Sequence, residues 1–288
     1  MKKTIIYPEN EPQTIRELLK QWLIPKKWQH FLRINHQILI NDIYQPFNYE
    51  IQTGDKISID FSDLPIRSNQ NYLTSTHVPV VVFEDESIII INKPSGQKSH
   101  PNEPQENNTA MNDVEFYLQR THHHAYMIHR LDMLTSGLMM IAKNPYVVPI
   151  MNQQLTKKTF QRHYYAMVDL INDIPDTKII DLPIAQDPTD PRKRIVSSYG
   201  LESITKFSVI KENDSQALLD INLLTGRTHQ IRVHLSHLNW PIVGDSLYNP
   251  NSTSSKLMLM AYRMEYVEPF SQQKKSIEIK IPTDFTIN

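Results

Sequence analysis

The chain has 288 residues, 40% of them hydrophobic and 21% charged, which suffices for a full core and excludes a wholly disordered protein. Its formal net charge of -1 excludes a protein that coats nucleic acid by bulk electrostatics, and the lack of cysteine excludes disulfides, thiolate metal sites and cysteine nucleophiles. No segment has the apolar length of a signal peptide or a membrane span, so a soluble cytoplasmic protein with no membrane partner is expected.

The elements begin with a small N-terminal α+β group. Thr14 and Glu17 have capping-box spacing, and Leu18, Leu19 and Trp22 give the helix they start an apolar stripe. Pro25 suits the first turn of a second helix, which carries Lys26, Lys27, Phe31, Leu32 and Arg33. The segment QILIND follows, with Asn41 and Asp42 as a turn, and then GDKISIDF, where Ile57 and Ile59 alternate with polar residues as in a half-buried strand. Two helices with basic residues, followed by ILIND and TGDKISI, resemble the alpha-L RNA-binding module, although Asp42 stands where that family often has glycine. The resemblance implies RNA contacts from Lys26, Lys27 and Arg33. Residues 1–64 are assigned to this module and residues 65–77, polar and without periodicity, to a linker.

From residue 78 to residue 288 the texture is that of a second, larger domain. VPVVVFED and SIIIINK read as buried strands, and TAMNDVEFYLQR and NPYVVPIMNQQL as helices. FQRHYYAMVDL, SITKFSVIKEN, SQALLDINLL, KLMLMAYRMEYV and KKSIEIKI read as strands. Many strands succeed one another without an intervening helix, so the expected fold is α+β with a mixed, mostly antiparallel sheet. Two basic patches stand out: Lys157, Lys158, Arg162 and His163, and Arg192, Lys193 and Arg194.

The chain has only six glycines, and four lie in segments crowded with polar groups: KPSGQKSHP, HRLDMLTSG, TGRTHQIR and PIVGDSLY. In HRLDMLTSG, Asp132 sits between apolar neighbours just before the strand-like GLMMIAK, which puts its carboxylate at a strand entrance. A turn carboxylate serving the Thr135 and Ser136 backbone is the plainer reading of that segment alone. In TGRTHQIRVHL, Thr228 is expected to cap a helix whose apolar positions are Ile231, Leu235 and Leu238. Arg227 would then stand at the helix entrance, within reach of a carboxylate or an RNA phosphate, with Arg232 further along.

These segments, in this order, resemble the RluA/RluD-type family of RNA pseudouridine synthases from about Val78 to the C-terminus. HRLDMLTSGLMMIAKN and LLTGRTHQIRVHLSHLNWPIVGDSLY carry the match most strongly; INKPSGQKSHP, RHYYAMV and LPIAQDP support it. The resemblance implies a pseudouridine synthase fold and an enzyme that isomerises uridine to pseudouridine in structured RNA. Large-subunit ribosomal RNA is the expected substrate and transfer RNA the second, with no cofactor and no metal. It makes Asp132 the nucleophile, Tyr164 the residue facing the base, and Arg227 the third catalytic residue. Arg130, Arg162 and Arg232 are expected to contact RNA. Leu134, Asp169 and Met260 depart from the family's usual residues at their positions. A monomer is the expected state.

The reaction suits such a set. The bond from ribose C1' to N1 of uracil breaks, the base turns, and C1' is rejoined through C5, with no electrons consumed. It calls for a carboxylate, a platform for the detached ring and an acceptor for the C5 proton, a role open to the Tyr164 hydroxyl or a water. Attack at C1', attack at C6 and elimination through a glycal are all compatible with this set. A buried carboxylate needs a cation, and Arg227 is expected to pair with Asp132 and keep it ionised. The target base must leave its stack, and an arginine or an apolar wedge near Arg130 is expected to fill the gap.

Other readings are weaker. Ser136, His129 and Asp132 are too close in sequence for a hydrolytic triad and lack a nucleophile elbow. Three consecutive side chains, His122, His123 and His124, do not converge on one ion. A protein that binds RNA without turnover would have no use for the combination of Asp132, Tyr164 and Arg227.

Overall fold

The computed structural model describes residues 2–8, 12–64 and 72–287. At the N-terminus are β1 (Lys2–Ile6), β2 (Gln13–Thr14), α1 (Ile15–Gln21), α2 (Lys26–Ile34), β3 (Ile38–Ile40), β4 (Ile43–Tyr44), β5 (Glu50–Ile51) and β6 (Lys56–Asp60). The capping box forms: the Glu17 amide donates to Thr14 Oγ1 at 3.2 Å and the Thr14 amide to the Glu17 carboxylate at 2.9 Å. Pro25 is the N-cap of α2, which buries Trp28 and Leu32 and leaves Lys26, Lys27 and Arg33 in solvent. An antiparallel sheet in the order β1-β6-β3-β4 backs the helices. Asn41 and Asp42, with φ of 52° and 66°, make the β3–β4 turn. Asp42 thus adopts the left-handed backbone that a glycine would take more cheaply, and Asp is one of the few other residues that tolerate it.

The larger unit comprises β7 (Val81–Glu84), β8 (Ile88–Lys93), α3 (Ala110–Leu118), β9 (Tyr126–Met127), β10 (Ser136–Ala142), α4 (Val147–Thr156) and β11 (Gln161–Asp169). There follow β12 (Thr177–Asp181), β13 (Ile184–Gln186), β14 (Arg194–Val196), β15 (Ile204–Glu212), β16 (Gln216–Leu223), α5 (Gln230–His237), β17 (Leu259–Val267) and β18 (Lys274–Glu278). The main sheet runs β12-β15-β16-β11-β17-β10-β8-β7, with β18 on β17 and β9 on β10. Every pairing in it is antiparallel except β10 with β17. The fold is α+β with a mixed, mostly antiparallel sheet, as the succession of strands predicted.

The unbroken apolar runs of β8 and β10 have a simple cause. Ile89, Ile91, Met139 and Ile141 belong to a core that includes α3 and α5, while Ile88, Ile90, Leu138 and Met140 belong to a second core on the opposite face, with α4. Strands covered on both faces have no position for a polar alternation. The second core also contains the N-terminal unit: Phe61 stacks on Tyr146 at 4.5 Å and Trp22 meets Phe270 edge-on at 5.4 Å. The N-terminal unit is therefore packed on the back of the main sheet. Of the expected linker, residues 65–71 lie outside the described residues. Its last part is held against α3, where Asn112 Nδ2 donates to the Leu73 carbonyl at 2.6 Å and Ser75 is buried.

Candidate active site

The parallel seam between β10 and β17 is what assembles the site. Gly137 pairs with Ala261, and Ala261 pairs on its other side with Tyr164 of β11. The start of β10, the middle of β17 and Tyr164 thus share one row. Gly137 has φ of +105°, and a Cβ there would lie 2.0 Å from the Ala261 carbonyl oxygen, so only glycine permits the approach. Asp132 lies in the tight turn leading into this row, its backbone carbonyl accepting from the Thr135 amide at 3.1 Å. The turn serves backbone to backbone, and the carboxylate is directed elsewhere.

The KPSGQKS segment grips that turn. Lys93 Nζ donates to the carbonyls of Pro94, Gln97 and Met133 at 2.8, 2.8 and 3.1 Å. Ser95 Oγ donates to the Leu134 carbonyl at 2.7 Å, Ser99 Oγ to the Leu131 carbonyl at 2.6 Å, and the Gly96 amide to the Met133 carbonyl at 2.9 Å. With the carbonyls on both sides of Asp132 occupied, the residue is held by its backbone. Burial pushes the Lys93 ammonium down to about 8, and the nearby charge of Asp132 opposes this.

Asp132, Tyr164 and Arg227 line one cavity of about 560 Å³, together with Arg130, Arg162 and Arg232. Within it, the guanidinium beside Asp132 is that of Arg232, whose Nη1 is 3.6 Å from the carboxylate; His229 Nε2 is 4.0 Å away. The expected pairing of Arg227 with Asp132 does not form. Helix α5 begins at Gln230, and its N-cap is His229 in the left-handed region with φ of 59°, not Thr228. Gln230 Oε1 accepts from the Arg227 amide at 3.0 Å and from Thr225 Oγ1 at 2.7 Å, which ties down the turn before the helix, and no side chain caps α5. This turns Arg227 outward to the cavity mouth, where its Nε donates to the Glu202 carbonyl at 3.1 Å. Arg232, on the first turn of the helix, faces inward.

Arg232, expected from the sequence to contact RNA, is instead buried and engaged by carboxylates of the protein itself. Its side chain is 5% exposed, and Nε and Nη2 each donate to Asp245 at 2.7 Å. Asp245 is wholly buried and also accepts from the Leu247 and Tyr248 amides at 3.0 and 3.1 Å. A forked donor matched to a carboxylate is strongly oriented, and this one leaves the third nitrogen for Asp132. The Tyr248 ring lies 5.1 Å from the guanidinium carbon, and its hydroxyl is 3.0 Å from His229 Nδ1. Asp245, Tyr248 and His229 were not singled out from the sequence as site residues. The only signals were the glycine and polar density of PIVGDSLY and the two histidines beside the arginines.

Tyr164 is 4% exposed, and burial raises its hydroxyl pKa, with Arg162 opposing and Asp132 reinforcing the shift. It is a phenol, not a phenolate, at neutral pH. Arg162 and His163 are buried in β11, so the basic patch expected over residues 157–163 splits, with only Lys157 and Lys158 exposed. Arg162 lies behind Gly226, with Nη2 3.4 Å from the Thr225 carbonyl, and no carboxylate lies within 4.0 Å of it among the described residues. Arg130 is exposed at the cavity rim. Lys26, Lys27 and Arg33 are on α2 and take no part in the cavity. His124 pairs with Glu115 at 2.7 Å and His123 Nδ1 lies 3.2 Å from Thr121 Oγ1, so the histidine run diverges. No described helix is long and apolar enough to cross a membrane.

Comparison with known proteins matches this arrangement to one family. The RNA pseudouridylate synthase profile covers residues 87–237, and that of the RluD ribosomal pseudouridine synthase N-terminal domain covers residues 3–57. The chain is 32% identical over 284 residues to an uncharacterized RNA pseudouridine synthase of Bacillus subtilis, YhcT, spanning 93% of this chain and 86% of that protein. It is 32% identical to the ribosomal large subunit pseudouridine synthase C of Buchnera aphidicola, over 86% of this chain and 82% of that one. It is also 32% identical to the dual-specificity RNA pseudouridine synthase RluA of Vibrio cholerae, over 71% and 83%. The solved structure of human RNA pseudouridylate synthase domain containing 4 covers 72% of this chain and 90% of its own length, with a TM-score of 0.58 at 21% identity, a likeness of fold. The chain belongs to the RluA/RluD-type family of RNA pseudouridine synthases.

Proposed function

We propose that this enzyme isomerises specific uridines in structured RNA, large-subunit ribosomal RNA foremost and transfer RNA second, with Asp132 as its nucleophile and without a cofactor. The observation that carries the reading is that Asp132 and Tyr164 open on one cavity in which the carboxylate has a guanidinium, Arg232, 3.6 Å away. The names of the Buchnera and Vibrio relatives support the choice of RNA.

In this reading the target uridine leaves its stack and enters the cavity, at a cost of a few kcal/mol that is smallest in loops. Asp132 drives cleavage of the C1'–N1 bond, the uracil turns against the Tyr164 ring, and C5 bonds to C1'. The C5 proton leaves to a water, along a path where the Tyr164 phenol can relay a proton but not keep one, and N1 takes up a proton, so the product is an isomer of the substrate. Arg232 supplies the positive charge beside Asp132 and, held by Asp245, fixes where the carboxylate points. Arg227 at the mouth is a cation for the phosphates of the bound strand, Arg162 in the wall adds positive charge to the cavity, and Arg130 at the rim is placed to fill the vacated stack. Lys26, Lys27 and Arg33 form a second, distant contact for the same RNA.

The test is release of tritium from RNA labelled at uridine C5. Wild-type protein should release label to water, and Asp132→Asn should release none while its RNA affinity stays within about threefold. An Asp132→Asn protein that still releases label would remove Asp132 from this role, and a wild type that binds RNA but releases nothing would leave a binding protein in its place.

A further inference from the structure

A second cleft, of about 470 Å³, lies beside the active-site cavity and shares Gly226, Arg227 and Thr228 with it. Its outer wall is the β13–β14 hairpin and the turn that follows, carrying Arg194 and Tyr199. Tyr199 is 96% exposed. A lone exposed aromatic residue means little by itself. Here, however, the turn beneath it is rigidly built. The Gly200 amide donates to the Ser197 carbonyl at 2.9 Å, and the Ser197 amide to the Pro183 carbonyl at 2.9 Å. Leu201 and Ile184 exchange backbone hydrogen bonds at 2.9 and 3.0 Å. A Cβ on Gly200 would lie 2.4 Å from the Ile184 backbone, so strand and turn touch. The chain thus holds a ring in water, on a braced loop, at the lip of a cleft that continues the active site and is flanked by two guanidinia.

We propose that this cleft receives the nucleotide next to the target uridine, its base stacked on Tyr199 and its phosphate between Arg194 and Arg227. This rests on the reading of the main cavity as the uridine site. Extracting one base from a strand unstacks its neighbours and bends the backbone around it, so a flanking base arrives with an open face. Stacking on an aromatic side chain accepts any base through its π-face, and the two cations match the charge of the linking phosphate. Tyr199 is accordingly a positioning residue: it registers the strand and takes no part in bond breaking.

The experiment uses RNA from cells that lack this gene, labelled with tritium at uridine C5, and full-length protein. Tyr199→Ala should raise the apparent KM about tenfold while kcat changes less than threefold, and Tyr199→Phe should restore KM to within twofold of wild type, since stacking needs the ring and not the hydroxyl. With so exposed a side chain, thermal unfolding of both variants should match wild type. An active wild type whose KM is unmoved by Tyr199→Ala overturns the flanking site alone, as does a Tyr199→Phe protein impaired as much as the alanine variant. A wild type that releases no label overturns the uridine reading beneath it.

Discussion

At the scale of the residue, the site depends on side chains whose charge state is set by what surrounds them. His129 of the HRLD segment is buried, and its Nε2 accepts the Met140 amide of β10 at 3.0 Å, a bond that only an unprotonated nitrogen can make. Burial, with the Arg162 charge adding, pushes its pKa down to about 3. The unfolded chain, with an ordinary histidine, therefore takes up a proton below about pH 6.5 that the folded chain refuses. The resulting stability is fully present above that pH and is lost as pH falls toward 3, by about 1.4 kcal/mol per pH unit. Urea unfolding at pH 7, 6 and 5 should show stability falling with pH in wild type, with His100, His229 and His234, also lowered by burial, adding to the fall. In His129→Gln, whose amide oxygen can still accept from Met140, the slope should be flatter by about that amount. Equal slopes would mean that His129 is protonated in the fold. The residue scale is also where sequence reading was most exposed to error: HRLD and TGRTHQIR do line one cavity, yet which of two arginines five positions apart meets Asp132 depends on the backbone turn at His229.

At the scale of the element, the parallel contact of β10 and β17 joins the Asp132 turn to Tyr164. It consists of two residue pairs, and one of them is Gly137 with Ala261. Gly137→Ala would place a methyl group against a carbonyl oxygen and force an L-residue to φ of +105°, so it should cost at least about 2 kcal/mol through strain and displaced backbone. Because the displacement falls on the row that holds the site, activity should fall by more than tenfold even at a temperature where the protein is folded. Urea midpoint and tritium release, measured together, check both parts; an unchanged midpoint would mean the seam has slack. Each strand of this seam was legible from its own apolar run. Their pairing was not, because β10 and β17 are about 120 residues apart and no local pattern marks a partner.

At the scale of the whole molecule, the N-terminal unit and the main sheet share a core, with Phe61 packed against both Tyr146 and Phe270. A polar stretch between two patterned regions reads as a linker, but burial against the back of the sheet ties the two units together. Phe61→Ala should therefore destabilise the entire chain by about 3–5 kcal/mol, the usual cost of emptying a buried phenylalanine site. Unfolding should remain one transition. Fluorescence of Trp22 and Trp28 in the N-terminal unit and of Trp240 in the larger one, separated with Trp→Phe variants, should report the same urea midpoint. A first transition seen only by Trp22 and Trp28 would show that the N-terminal unit unfolds by itself. A docked unit also holds Lys26, Lys27 and Arg33 at a set distance from the cavity, so an RNA that touches both must match that span.

The sequence alone determined the family, the α+β class, the helices and most of the longer strands, and the segments that line the cavity, because these follow from local periodicity and from long motifs whose order is itself information. Only the tertiary structure decided that Arg232 and not Arg227 stands beside Asp132, that Asp245 buttresses it, that Arg162 is buried, and that the N-terminal unit shares a core with the main sheet. Those outcomes depend on distances between residues remote in the chain and on the direction a single left-handed residue gives the backbone, and neither is written in a local pattern of amino acids.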